Sequence, residues 1–164
     1  MIRKSAVGLR LLFVLGLHFS CGSDQPKAYD LLVDQPINEA EEEALRLFSN
    51  YLPQIENQGT EVKFIRLISG DLNGDARTDV IVEFGKGLPR ANGIIVREAA
   101  VYIQEKDQLI VLGAFEPGFC FHISGIEEGK LSVQELDACM NPNPQVLAIH
   151  TFKLKNRQFT TIQH

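Results

Sequence analysis

The sequence predicts an α+β fold, with one N-terminal helix packed on an antiparallel meander sheet of about seven to eight strands. Three features of the 164 residues point there. The sustained helical apolar period lies between Asn38 and Ile55, the chain after Thr60 runs in short β-branched and aromatic stretches, and the links between those stretches are turn-sized. Parallel neighbours need crossovers of roughly a dozen residues or more, so turn-sized links predict antiparallel neighbours.

Asn38 stands as an N-cap with Glu41 three residues on, a capping box, and Glu39, Glu41, Glu42 and Glu43 put negative charge where the helix dipole favours it. That run of glutamates reads as a solvated helix face. Ala44, Leu45, Phe48, Leu52 and Ile55, with Tyr51, recur at three and four and make one buried stripe; Pro53 is expected to kink or end the helix and Gly59 to stop any continuation. Strands are expected near residues 61–69, 78–84, 94–104, 109–115, 119–126, 131–137, 146–154 and 159–163. Phe119, Phe121 and Ile123 alternate with Cys120, His122 and Ser124, while Val146, Ala148, Phe152 and Leu154 share a face, so one sheet face is expected to be buried, under the helix. The longest gap, Gly85 to Gly93 with Lys86, Pro89 and Arg90, reads as a solvated connector or a mobile loop.

The N-terminus reads as an address. Arg3 and Lys4 precede a seven-residue apolar core, Leu11 to Leu17, too short for the ~20 residues a membrane-spanning helix needs, with Ser20 just before Cys21. Cys21 followed by Gly22, Ser23, Asp24 and Gln25 resembles the bacterial lipoprotein signal, although His18 stands where that pattern has an aliphatic residue. The resemblance implies an acylated Cys21, palmitate-type anchoring in a membrane, and a cell-envelope location. An ordinary secretory signal cut nearby, with Cys21 an incidental thiol, is the alternative. The expected organisation is a signal over residues 1–20, a polar tether over 21–36 in which a short helical turn fits Ala28 to Val33, and one globular domain over 37–164. Removal of residues 1–20 leaves 13 basic residues against 21 acidic ones, a net charge of −8. That balance argues against nucleic acid and anionic surfaces as partners and in favour of cations.

In an exported chain Cys120 and Cys139 are expected to form a disulfide. A zinc site using Cys120, His122, Cys139 and His150 is the alternative, at spacings unusual for that metal.

The one motif with chemistry in it spans Gly70 to Val82. Asp71, Asn73, Asp75 and Asp79 stand at positions 1, 3, 5 and 9 of a loop, and Arg77 at position 7 offers a backbone carbonyl. Hard cations take six to eight oxygens, and oxygen side chains at alternate positions of a tight loop converge on one point. The spacing resembles the calcium loop of FG-GAP and VCBS repeats, which implies a structural calcium ion. Ala76 replaces the glycine that the family has at position 6, at a cost of about 1 kcal/mol if that position is left-handed. Val82 at position 12 rules out an EF-hand, with Glu83 beside it facing inward only if the strand permits. The competing expectation is a plain tight turn with solvated aspartates. One copy of the loop in a chain of this length is too little for a propeller, whose blades need roughly 40 to 50 residues each.

No Gly-x-Ser-x-Gly, His-Glu-x-x-His or Gly-x-x-x-x-Gly-Lys motif is present, and no enzymatic activity is expected. Glu127 and Glu128, adjacent in a turn, are poorly placed as a catalytic pair. Two expectations follow: a calcium-stabilised envelope lipoprotein that binds an unknown protein or glycan, or a small periplasmic inhibitor or accessory factor of a cell-wall enzyme, with no metal.

Overall fold

The computed structural model describes residues 30–32, 36–56 and 59–162. Cys21 and the expected signal lie outside them. β1 (Asp30–Leu32) comes first and pairs in parallel with Phe64 to Arg66. The helical turn expected around Ala28 to Val33 is therefore corrected: three residues against an open strand edge gain ladder hydrogen bonds, whereas so short a helix cannot repay its nucleation.

Asn38 adopts extended backbone and opens α1 (Glu39–Ser49), its side chain accepting the Glu41 amide at 3.0 Å while the Glu41 carboxylate accepts the Asn38 amide at 2.9 Å. α1 ends before Pro53, which sits in the first turn of α2 (Leu52–Glu56), where its missing N–H costs no helical bond. Gly59, at φ +76°, closes this region by donating to the Glu56 carbonyl.

All eight strands expected after Thr60 are present: β2 (Glu61–Gly70), β3 (Asp79–Gly87), β4 (Val96–Glu105), β5 (Gln108–Phe115), β6 (Phe121–Glu127), β7 (Lys130–Leu136), β8 (Val146–Lys155) and β9 (Gln158–Thr161). Their partition differs from the expectation. β1 to β5 form one five-stranded sheet in chain order and β6 to β9 a separate four-stranded antiparallel sheet, in place of a single meander. The break falls at Glu116, Pro117 and Gly118, the last at φ +84°. Proline removes a ladder donor there, and Phe115 packs its ring edge-on against Phe121, Phe152 and Phe159, at centroid distances of 5.6, 5.1 and 4.9 Å. The chain therefore folds back over the first sheet, where a hairpin would have extended it.

Three layers result. Val62, Ile65, Val80, Val82 and Phe84 pack on Ala44, Phe48, Leu52 and Ile55 of the helices, and the opposite face, with Ile68, Ile81 and Val101, packs on Phe121, Ile123, Leu131 and Val133 of the second sheet. The five-stranded sheet is thus covered on both faces, correcting the single buried face. β3, in its middle, is buried along nearly its whole length, as strands covered on both sides are. The second sheet keeps one open face. Val146 is half-exposed there rather than sharing the buried face of Phe152, because a register shift at Glu135 and Leu136 ends its regular ladder.

β2 and β6 cross closely. A Cβ on Gly70 would lie 2.8 Å from the Cβ of Ile126, so the glycine is required by the approach of the two sheets. The expected disulfide joins Cys120, ahead of β6, to Cys139, after β7, with Cα atoms 5.4 Å apart.

Phe48 is 2% exposed and meets the Phe84 ring at 4.9 Å, so it is the main bond between helix and sheet. Phe48→Ala is expected to lower unfolding free energy by about 3–5 kcal/mol, read from the urea midpoint at unchanged m-value.

Candidate functional site

The loop between β2 and β3 holds Asp71, Asn73, Asp75 and Arg77 of the residues expected to ligate calcium, and Asp79 opens β3 at its end. Asp71 is its organiser: one carboxylate oxygen accepts the amides of Gly74 (2.7 Å) and Asp75 (3.1 Å), and the other accepts that of Ala76 (2.8 Å). Asn73 Oδ1 accepts the Asp75 amide, Asp75 Oδ1 accepts the Arg77 amide, and Asn73 Nδ2 donates to Asp75 Oδ2 at 3.1 Å. These bonds wind the backbone tightly. Gly74 lies at φ +83° and Ala76 at φ +63°, so position 6 is left-handed and the alanine there carries the strain expected of a side chain in that region.

Asp79 behaves differently. It is fully buried, and its two oxygens accept the amides of Leu72 and Gln104, each at 2.9 Å, which ties the base of the loop to β4. Burial pushes its pKa up, the two amides pull it back, and the charges of Asp75 and Asp71 add to the rise. Asp71 moves the opposite way: burial would raise it, but the amides of Ala76, Gly74 and Asp75 hold it below the usual carboxylate range. Arg77 is exposed, and no Lys, Arg or His among the described residues forms an ion pair with Asp71, Asp75 or Asp79.

The donor set is therefore all oxygen, anionic and without a counter-charge, which fits a hard cation such as calcium. Asp71 Oδ1 spends both lone pairs on two amides, whereas Asp71 Oδ2 and the oxygens of Asp75 and Asp79 each accept one hydrogen bond and keep a lone pair. Among the described residues no three His, Cys, Asp or Glu side chains are gathered into a metal-holding group. The zinc alternative loses its thiolates to the disulfide, and its histidines diverge: His150 hydrogen-bonds Glu135 at 2.7 Å and stacks on Phe119, while His122 turns to Glu83.

Glu83 is the residue the sequence did not single out as a centre. It does face inward, but it joins the core between the sheets and is not a loop ligand. Its side chain is fully buried and meets four donors: Arg66 Nη2 at 2.5 Å, the Ile123 amide and Arg97 Nη1 at 3.1 Å, and His122 Nδ1 at 3.5 Å. Arg66 also donates to the Ile123 carbonyl, and Arg97 lies over the Phe64 ring, 5.1 Å from its centroid. Burial pushes the Glu83 pKa up, but the His122 contact and the charge and hydrogen bond of Arg66 outweigh it and hold the group at about 2. A polar residue in the inward phase of an otherwise apolar strand, with arginines on both neighbouring strands, was the available signal.

Two outcomes follow. Ala76→Gly is expected to stabilise the chain by about 1 kcal/mol, since glycine relieves the left-handed strain, read as a higher urea midpoint. Glu83→Gln leaves two arginines without their anion and is expected to cost about 3–5 kcal/mol. Because the folded pKa lies below the ordinary 4.5, the Glu83 contribution is fully present above pH 4.5 and fades as pH falls toward 2. The wild type should accordingly lose more stability than Glu83→Gln over that interval, a difference that acid titrations of the two proteins measure.

No protein-family model, curated protein or solved structure matches the chain.

Proposed function

We propose that the chain is a lipid-anchored protein of the bacterial cell envelope whose Asp71–Asp79 loop takes calcium as a structural ion, and that it binds a protein or glycan rather than catalysing a reaction. Three carboxylates on nine residues with no counter-charge support the ion most directly. The ligands would be the side-chain oxygens of Asp71, Asn73, Asp75 and Asp79 with the Arg77 carbonyl, and the ion's chemistry there is charge neutralisation. The chain's own part is to hold the donors in place: Asp71 winds the loop and Asp79 fastens it to β4, so order gained in the loop is transmitted to the first sheet. The anchor rests on Cys21 and the segment before it. No helix among the described residues is long and apolar enough to cross a membrane.

The metal-free inhibitor or accessory factor has one observation in its favour, that every loop carboxylate already accepts a backbone amide. Thermal melts of the whole chain in EDTA, with calcium or magnesium titrated back, separate the two. The proposal expects calcium to raise the midpoint in proportion to the logarithm of its concentration, with the rise abolished in Asp75→Ala. A melt unmoved by calcium up to several times ~1 mM, the weak end of extracellular sites, gives the loop to a plain turn and the function to the metal-free alternative.

A further inference from the structure

The two helices cover the first sheet unevenly. α1 packs chiefly on β3 and α2 on β2, which leaves the outer part of β4 and β5 as a ledge on the helix side. On that ledge Ala114 stands directly opposite Ala100, which pairs with Val82 and joins it on the face beneath the helices. Neither alanine reaches beyond Cβ, so space that larger side chains would fill to the density of a core stays open. A cavity of about 330 Å³ results between the ledge and a wall of Phe48, Tyr51 and Ile55, and Tyr102 lines its floor. Sites for small molecules run from roughly 300 to 1,000 Å³, so this one suits a single ring with a short substituent.

One group in the cavity points to the ligand. Tyr102 is 1% exposed, its ring part of the core beneath the helices, yet no described residue hydrogen-bonds its hydroxyl. Buried tyrosine hydroxyls ordinarily have a partner. This hydroxyl is not among the polar atoms sealed from solvent, so the side left open to it is the cavity. Burial, and then the nearby Tyr51, push its pKa up to about 12, so it keeps its proton and has a donor to offer. The charges in the lining cancel: Lys86 Nζ meets Glu98 Oε1 at 2.5 Å. Apart from that pair, Gln54 and the exposed Tyr51, the remaining lining is apolar.

We propose that this cavity is a binding site for a small uncharged ring compound, apolar in body and carrying one oxygen that accepts the Tyr102 hydroxyl. The hydroxyl sets the direction of entry, oxygen inward, and the ledge of Ala100 and Ala114 receives the face of the ring. A charged ligand would give up its hydration without gaining a partner, because Lys86 and Glu98 already neutralise each other. The cavity shares no residue with the Asp71–Asp79 loop, so the site stands apart from any ion held there.

Acetophenone, a ring with one carbonyl oxygen, is the probe, titrated into the whole chain and followed by the amide signals in NMR spectra. The expected result is saturable binding with a dissociation constant on the order of 1 mM, with shifts at Ala100, Tyr102 and Ala114. Tyr102→Phe removes the hydroxyl alone, and should weaken acetophenone about fivefold while leaving the binding of toluene, which has no oxygen, unchanged. Ala114→Leu, at an exposed position, fills the ledge and should abolish binding of both probes with an unchanged circular dichroism spectrum. A wild type that shows no saturable binding up to about ten times that constant overturns the proposal. Binding that survives Ala114→Leu also overturns it, and places the contact elsewhere. Acetophenone held equally well by the wild type and Tyr102→Phe removes the oxygen acceptor, and with it the proposed ligand class.

Discussion

The fold turns on one buried carboxylate. Glu83 sits in the middle strand of a sheet covered on both faces, where an unpaired charge would be strongly destabilising, and the surrounding strands are arranged to supply its partners. Arg66 comes from β2, Arg97 from β4, and the Ile123 amide from the second sheet, so a single side chain bonds to three other strands. The contact with β6 also solves a problem of the second sheet. β6 is an edge, and the backbone groups of Ile123 that no strand reaches would be buried without partners; the Glu83–Arg66 pair takes their place in the ladder. The ion pair therefore fixes where one sheet sits upon the other, a directional constraint that apolar packing alone supplies weakly.

Around this joint the other contacts are those of close approach. Gly70 lets β2 and β6 cross, the disulfide holds the start of β6 against the loop after β7, and the four phenylalanines where the chain leaves β5 fill the corner. The helices, by contrast, pack on the far face and contribute nothing to the joint. Their role is to bury Val80, Val82 and Phe84, which would otherwise leave an apolar sheet face in water.

This division explains what the sequence disclosed and what it withheld. The helix start at Asn38, all eight strands after Thr60 and the Cys120–Cys139 pairing are local or binary choices, carried by capping chemistry, side-chain period and cysteine parity. The split into two sheets is not local. A link such as Glu116 to Gly118 has the length of a hairpin whether the next strand pairs or folds over, and only the tertiary fit of Phe115, Phe121, Phe152 and Phe159 chooses between them. β1 was missed for the same reason: a three-residue strand has too short a period to detect, and it exists because β2 presents an edge. In the loop, the residues were legible from spacing and the question of a left-handed position 6 from the glycine that the resembled loops have there, whereas the partners of Glu83 lie 14, 17 and 40 residues away along the chain and leave no mark on a pattern read one segment at a time.

Asp79 and Glu83 make the functional question specific. They lie four residues apart on β3, both are fully buried, and both accept backbone amides from other strands or loops. Glu83 is surrounded by arginines and its pKa is held down to about 2, while Asp79 has amides alone, faces the charges of Asp71 and Asp75, and its pKa is pushed up. One strand thus handles two buried carboxylates in opposite ways. Asn at position 79 would remove the buried charge but accept only one of the two amides and turn its NH2 on the other, so the carboxylate is needed for the double contact. Retaining three carboxylates without a basic partner is intelligible if a cation completes the site, doing for Asp79 what Arg66 and Arg97 do for Glu83. On the proposed reading the calcium loop and the ion-paired core are then two solutions to one electrostatic problem, one closed by the chain itself and the other left for an ion abundant outside the cell.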